Sequence, residues 1–459
     1  MDTKNSIEKL RTTLRGRLIE PREPEYEEAR KVYNGMIDKR PRLVAQCADT
    51  TDVIACVRFA RDAGMLVAVR GGGHNGGGLG TCDDGLVIDL GSMNGVRVDP
   101  TSSTVRAEAG CRQQHLDHAA HAFGLAVPAG VVSTTGIAGL TLGGGHGYLT
   151  RKYGLTIDNL LEVDVVLADG QFVTANQSRN EDLFWAVRGG GGNFGVVTSF
   201  LYRAHPVDTV YAGVTLWELE HAHDLVAWYS DFMTGADEDM YGFFAFLRVP
   251  PAPPFPEHLH QKPMCGIVWC YTGPPDRAEA TFKPILQLRP TAFEMLGPMP
   301  FPALQSMFDP LLPPGLQWYW RGDFFSDLSD EAIKHLLRKG SEPPTLLSLM
   351  HLYPISGAPN RIGRTDTAFS YREVKWSMVI AGIDPDPANA GKISKWTKDY
   401  WEEMHPYSAG GAYVNFMMEE GQGRVQATYR DNYGRLAAIK QKYDPTNFFR
   451  VNQNIRPRS

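Results

Sequence analysis

The sequence is poor in cysteine, with six in 459 residues (47, 56, 82, 111, 265 and 270), and no two form a Cys-x-x-Cys pair. Scattered in this way they read as reduced thiols, some of them buried, rather than as a disulfide framework. No apolar run approaches the roughly 18 residues that a membrane span needs. The N-terminus, Met1-Asp-Thr-Lys-Asn-Ser-Ile-Glu-Lys, lacks the apolar stretch of a secretory signal. A cytoplasmic address is therefore expected, although a secreted chain already shorn of its signal would look the same. Basic charge is not in excess: the formal net charge is -6. No basic patch dominates, which speaks against nucleic acid or an anionic membrane as partner. Internal repeats and low-complexity segments are absent. With 43% hydrophobic and 21% charged residues, this is the composition of a soluble globular protein whose length predicts two to three domains.

What the sequence has in quantity is clustered glycine. The run Val67-Ala-Val-Arg70-Gly71-Gly72-Gly73-His74-Asn75-Gly76-Gly77-Gly78 is a short apolar strand that empties into six glycines. Glycine permits positive φ and close approach of the backbone to a ligand, and successive N–H groups in such a turn form an anion-binding concavity. Two further clusters follow, Gly139-Leu-Thr-Leu-Gly143-Gly144-Gly145-His146-Gly147 and Gly189-Gly-Gly-Gly192-Asn193-Phe194-Gly195. Three cradles so close in sequence suggest one long ligand, a phosphate or pyrophosphate compound, shared among them.

The surrounding pattern is mixed. Residues 1–40 are charged and partly helical, a surface arm or first helix. A strand is predicted at 41–46. It is followed by a helix capped by Thr50 or Thr51, with Val53, Cys56, Val57 and Ala60 on its buried face and Gly64 as its stop. A second strand at 66–69 delivers the chain to the glycine loop. A Rossmann fingerprint would put its glycines after the first strand, so a nicotinamide-dependent dinucleotide fold is disfavoured. Segments 86–90, 95–99 and 104–109 read as an antiparallel meander. A helix over 113–123 carries His115, His118 and His121, whose three-residue spacing drifts around the helix and does not converge on a metal. Strands at 163–167 and 196–204 bracket a helix at 182–187. From 208 onward glycine clusters give way to proline and aromatic residues. Strand-like runs (240–248, 266–271, 345–353, 376–381) alternate there with helical ones (221–232, 276–287, 330–338), which predicts an antiparallel sheet backed by helices. Residues 412–416 read as a strand and 434–443 as a helix. The amide-rich close of the chain, with Asn447, Asn452, Gln453 and Asn454, predicts a tail docked on something polar. The fold class is α+β, divided as 1–37, 38–207, 208–411 and 412–459.

Four motifs in order carry a resemblance. Arg70-Gly-Gly-Gly-His74-Asn75, Gly143-Gly-Gly-His-Gly147 leading into Arg151-Lys-Tyr-Gly154, Arg188-Gly-Gly-Gly-Gly-Asn-Phe-Gly195 and Tyr443-Asp-Pro…Asn452-Gln-Asn-Ile455 resemble the berberine bridge enzyme-like flavoproteins of the vanillyl-alcohol oxidase (PCMH-type) FAD superfamily. The likeness runs from about residue 38 to 457. It implies a two-subdomain FAD-binding domain, a substrate domain, and a C-terminal segment that returns to the FAD domain. His74 stands where such enzymes tether the flavin 8α carbon. Many members carry a second tether in a Gly-x-Cys-Pro pattern, but here Val132 occupies the cysteine place, so a single covalent bond is expected. The implied cofactor contacts are Arg70, Gly71, Gly72, Gly73, His74, Asn75 and Gly76; Val132, Ser133, Thr135 and Gly136; Gly139, Gly143, Gly144, Gly145, His146 and Gly147; Gly195 and Val197; and Tyr413, Asn415 and Asn452. The phosphates are expected on 71–75 and the 139–147 turn, and the adenine near 195–197. His146 is expected to give structural support, and Thr135 to influence O2 access.

The resemblance implies oxidation of a small-molecule alcohol (a sugar, an aromatic alcohol or a secondary metabolite). Hydride would pass to flavin N5, a base would take the hydroxyl proton, and O2 would be reduced to H2O2. Tyr413 is the first candidate for the base, against a plain anchoring role on its strand. His351 and Tyr353 share a strand face by period-2 alternation and either could touch substrate or serve the core. A dehydrogenase using another acceptor and an oxidative cyclase are the alternatives, while a non-enzymatic flavin carrier fits poorly with a tethered cofactor. The chain is expected to act as a monomer or homodimer.

Overall fold

The computed structural model describes residues 3–458, with side chains from residue 5. The first sheet comprises β1 (Arg17–Ile19), β2 (Leu43–Gln46), β3 (Val67–Arg70) and β4 (Leu86–Asp89), in the order β1-β2-β4-β3. β2 and β3 both run parallel to β4, and β1 is antiparallel to β2. The helix Thr50–Asp62 crosses from β2 to β3 with Val53, Cys56, Val57 and Ala60 buried, as their spacing predicts, and Gly64 beyond its end has φ +59°. Its cap is Asp49, not Thr50 or Thr51: the Asp49 carboxylate accepts from the backbone of Thr51 and Asp52. A carboxylate there both satisfies free N–H groups and complements the helix dipole. Two expectations need correction. Segment 86–90 is the parallel centre of this sheet rather than part of a meander. The sheet also begins before residue 41, since β1 pairs with β2 and Ile7, Leu10 and Leu14 of the preceding helical segment join the same core.

The second sheet is antiparallel. β5 (Val96–Asp99) and β6 (Thr104–Glu108) form a hairpin; after the short β7 (Leu125–Ala126) come β8 (Leu160–Val166), β9 (Phe172–Asn176) and β10 (Val196–Arg203). Their order is β5-β6-β10-β8-β9, and β11 (His205–Pro206) pairs with β7. One hydrophobic core spans both sheets.

The third sheet has seven strands: β12 (Thr209–Trp217), β13 (Met240–Arg248), β14 (Pro263–Tyr271), β15 (Phe293–Pro300), β16 (Gln317–Phe325), β17 (Leu349–Pro354) and β18 (Trp376–Asp384). Every neighbouring pair is antiparallel, in the order β15-β12-β14-β13-β17-β18-β16. Alternation along the strands separates two faces. Trp217, Phe244, Trp269 and Trp376 pack under the helices Ala222–Gly235, Asp330–Gly340 and Ala390–Met404. Val214, Leu216, Phe243, Val268 and Val379 occupy the other face. The architecture is thus α+β with a helix-backed antiparallel sheet, as predicted.

Residues 412–416 are not a strand: Val414–Phe416 form a 3-10 turn, because Tyr413 is held through its side chain rather than by a ladder. After the helix Asn432–Tyr443, the buried Lys440 ammonium donates to Asp444 (2.6 Å) and to the carbonyls of Asn193 (2.6 Å) and Phe449 (2.8 Å). Asp444 in turn accepts from the backbone of Phe448 and Phe449. The tail amides do find a polar dock. Asn452 donates to the Gly192 carbonyl, and Asn193 links the carbonyl of Gln453 and the N–H of Ile455. Among the described residues all six cysteines are free and buried, and no helix is long and apolar enough to cross a membrane.

Candidate active site

The two glycine-rich sheets and the unbacked face of the third sheet enclose a cavity of about 470 Å³. Its lining includes Arg70, Gly71, Gly72, Gly73, His74 and Asn75 from the turn after β3. Val132, Thr135, Gly136, Gly139 and His146 come from the second cluster, and Gly195, Val197 and Asn452 from the third cluster and the tail. His351, Tyr353, Tyr413 and Asn415 close it from the opposite side. The remaining sequence candidates lie behind the wall. Gly76 sits under the Trp320 indole, where a Cβ would come within 2.4 Å. Gly143 packs on the Asn415 amide at 2.5 Å, Gly144 (φ +128°) lies against Phe369, and Gly147 lies against the Ala129 carbonyl at 2.2 Å by the same measure. Gly145 takes φ +76° beside Thr156, and the Ser133 hydroxyl donates to Asp309.

Among the described residues, the backbone N–H groups of Gly71, Gly72, Gly73, His74 and Asn75 donate no hydrogen bond. Five successive free donors at the end of a strand are a cradle for an anion. Glycine is required where the turn crosses the second cluster: a Cβ on Gly72 would lie 2.5 Å from the Gly136 backbone. Arg70 does not extend its charge into the cradle. Its guanidinium binds Asp89 (2.9 Å) and the carbonyls of Ala29 and Lys31, and so braces the turn from behind.

His74 stacks on Tyr33, with ring centroids 3.8 Å apart and planes 16° from parallel. The Tyr33 hydroxyl is fixed on the Leu312 carbonyl at 2.6 Å. Burial, aided by the positive charge of Arg112, pushes the imidazole down to about 3, so at neutral pH it is uncharged and keeps a nucleophilic lone pair. Nothing in the sequence around Tyr33 marks it, because its pairing with His74 spans two separate segments of the chain.

Across the cavity the polar groups gather in one corner. The Tyr413 hydroxyl accepts from Gly145 N–H (3.0 Å) and from the Asn415 amide (2.7 Å). Burial pushes this phenol up to about 12, while the two donors oppose the shift. His146 lies 4.6 Å from the Tyr413 ring and 5.1 Å from that of Tyr353, centroid to centroid. It is 5% exposed, and neither ring nitrogen has a partner. Burial holds it neutral, pushed down to about 3. Its ring lines the cavity, and both nitrogens are buried without a partner. Sequence reasoning missed that, since a residue after three glycines does not reveal its own partners. His351 and Tyr353 bind each other (2.7 Å), and burial raises the Tyr353 phenol and lowers the His351 imidazole. Among the described residues lining the cavity there is no Asp or Glu.

The glycine-rich region matches the FAD binding domain family over residues 41–176, and the C-terminal segment matches the berberine and berberine-like family over 412–456. An FAD-linked oxidoreductase of Dictyostelium discoideum is 30% identical over 429 residues, 93% of this chain and 91% of that protein. The crystal structure of 6-hydroxy-D-nicotine oxidase from Arthrobacter nicotinovorans superposes with a TM-score of 0.86 at 25% identity, covering 97% of this chain and 98% of that one. A chitooligosaccharide oxidase shares the fold (TM-score 0.83, 21% identity, 99% and 100% covered).

Proposed function

This chain belongs to the berberine bridge enzyme-like FAD-linked oxidoreductases, and from that premise we propose that it is an oxidase of a small-molecule alcohol with FAD held covalently through His74 alone. The observation that carries the reading is a single cavity with a free backbone cradle and a neutral, ring-stacked histidine on one side and a partnerless imidazole beside a tyrosine on the other. The five free N–H groups from Gly71 to Asn75 would hold the pyrophosphate, and the neutral His74 would bond the flavin's 8α carbon. Val132 lines the cavity and none of the cysteines does, which supports one tether over two. FAD when bound supplies a two-electron hydride acceptor that passes its electrons on to O2.

The chain's own residues supply the rest. His146 is neutral and, in either tautomer, has one acceptor nitrogen to which the substrate hydroxyl can donate. Tyr413 stays a phenol, since burial outweighs the two N–H donors that fix its oxygen. With no cavity carboxylate, the acceptor for the hydroxyl is the His146 imidazole or the His351–Tyr353 pair. The apolar sheet face excludes water from the corner.

The test is acid precipitation of the purified protein followed by absorbance and intact mass. A yellow pellet heavier by about one FAD, lost in His74→Ala, is expected. A colourless pellet under a yellow supernatant would remove the tether, and a protein without flavin would overturn the reading. Peroxide release on alcohol oxidation is the second readout; reduction of an artificial acceptor without peroxide would make the enzyme a dehydrogenase.

A further inference from the structure

The cavity wall opposite the glycine cradle defines the kind of substrate. Six strands of the third sheet, all but β15, point side chains into it, among them Val214, Leu216, Phe243, Leu349, Val379 and Ala381. Polar residues of the same strands face away: the Thr215 hydroxyl accepts from the Trp269 indole under the helices (2.9 Å). The polar side chains that do reach this wall are mostly committed. His351 and Tyr353 bind each other. Ser348 accepts from Ile383 N–H (3.0 Å), and Arg248 donates to the carbonyls of Pro343 and Gln261. The Trp318 and Trp320 indole N–H groups are buried without a partner and bring no acceptor. What remains to accept a hydrogen bond from a substrate hydroxyl is the corner: the one acceptor nitrogen of the neutral, unpartnered His146 ring and the Asn415 amide oxygen, whose N–H side is spent on Tyr413 and Leu140.

We infer that the substrate is a neutral, largely apolar carbinol that presents one hydroxyl to His146, and is neither a sugar nor an ammonium compound. The inference rests on the alcohol-oxidase reading. A sugar would bury several hydroxyls against aliphatic side chains, and each one left unmet lowers affinity by about tenfold or more. An ammonium would be desolvated with no carboxylate on the wall, which a buried charge does not tolerate. A neutral carbinol loses only what the wall replaces, gaining hydrophobic contact along the sheet and one hydrogen bond in the corner. With FAD bound, the carbinol C–H bond would break as hydride, giving two electrons to that acceptor. The O–H proton would leave along its hydrogen bond to His146, the C–O bond would become C=O, and O2 would take up the two electrons with two protons as H2O2.

Tertiary alcohols test binding without turnover, because they have no carbinol hydrogen to lose. The holoenzyme is titrated with 2-methyl-2-alkanols of increasing length, with cellobiose and with benzyltrimethylammonium. Flavin absorbance and melting temperature are the readouts. Dissociation constants should fall about threefold to fourfold per added methylene, and neither cellobiose nor the ammonium should saturate. His146→Phe should erase the preference for each alcohol over its methyl ether. A flat series, or tighter binding of cellobiose or the ammonium than of the longest alcohol, overturns the inference. Matched secondary alcohols separate it from the reading beneath it. If the tertiary series binds with the expected slope and secondary alcohols leave the flavin oxidised without O2, the substrate class stands and alcohol oxidation falls. If secondary alcohols bleach the flavin but cellobiose binds tightest, oxidation stands and the class falls.

Discussion

The wall that cradles the cofactor site and the wall that faces it are made of different material. From Gly71 to Asn75 the surface offered is backbone, five N–H groups with no internal acceptor. Across the cavity, from Val214 to Ala381, it is side chain, set by the inward half of a pleated sheet. A backbone wall recognises charge and needs the absence of Cβ atoms, as at Gly72, where one would strike Gly136. A side-chain wall recognises shape and apolarity, and it can be varied one residue at a time without disturbing its hydrogen bonds. The proton-handling corner, His146 with Tyr413, lies where the two walls meet, and its substitutions should separate them most sharply.

His146→Phe is expected to have the largest effect of that kind. Loss of a positioned proton acceptor should lower kcat/KM by about 10²- to 10⁴-fold, while FAD content stays at the wild-type level because the cradle does not use this side chain. His146→Gln, which restores an acceptor, should recover part of the rate. Anaerobic flavin reduction at 450 nm measures both. An unchanged rate in His146→Phe would move the role to the His351–Tyr353 pair.

The same contrast explains what the sequence disclosed. The backbone wall announces itself in clustered glycines, and the His74 turn was legible because no core needs such a run. The side-chain wall is encoded by period-2 patterns on strands far apart in sequence, and several of those strands are disguised. β12 carries Gly213 at φ +144°, where a Cβ would meet the Met295 carbonyl, so it reads as broken. Beside the wall, the edge strand β15 of the same sheet contains Pro298 and Pro300, which a strand tolerates in that place. Segment 86–90 was recognisable as a strand, but a sequence does not say whether its neighbours run parallel. The burial of the Lys440–Asp444 pair and of the Asp158–Arg372 pair (2.8 Å, both carboxylate oxygens engaged) has no mark in the sequence, since burial of a charged residue is decided by partners elsewhere in the chain.

Acid should expose the buried histidines. In the folded protein burial pushes His146 down to about 3 from the ordinary 6.5. Between those values the unfolded chain binds a proton that the folded one does not, so this site's stability is complete above about pH 6.5 and is lost as pH falls toward 3. His74 and His351 share the sign. Urea denaturation from pH 7.5 to 4 should show a falling midpoint. In His146→Phe the slope should be smaller by one proton, about 1.4 kcal/mol per pH unit. At pH 7 the variant should be as stable as the wild type or more so, because a buried imidazole without partners gives way to a ring that needs none. Identical slopes would mean that His146 is solvated in the folded state.

The mildest probe is Val379→Thr, which keeps the shape of the side chain and places one hydroxyl on the apolar wall. Val379 is 5% exposed on β18, paired across from His351, with its side chain on the cavity face. Because one methyl group is exchanged for a hydroxyl of like size, the cradle should hold FAD as before, and His146 should keep its place. A neutral carbinol meeting that hydroxyl should bind about threefold to tenfold more weakly, the cost of desolvating one poorly partnered group. Affinity for a polyhydroxylated ligand should move the other way, if only slightly. Titration of the variant with the same tertiary alcohols reads the change directly. Weaker binding at the same dependence on chain length would mean that the hydroxyl meets the substrate at one point; a flattened dependence would mean that the whole hydrocarbon body lies along β18. No change at all would remove this strand from the substrate wall.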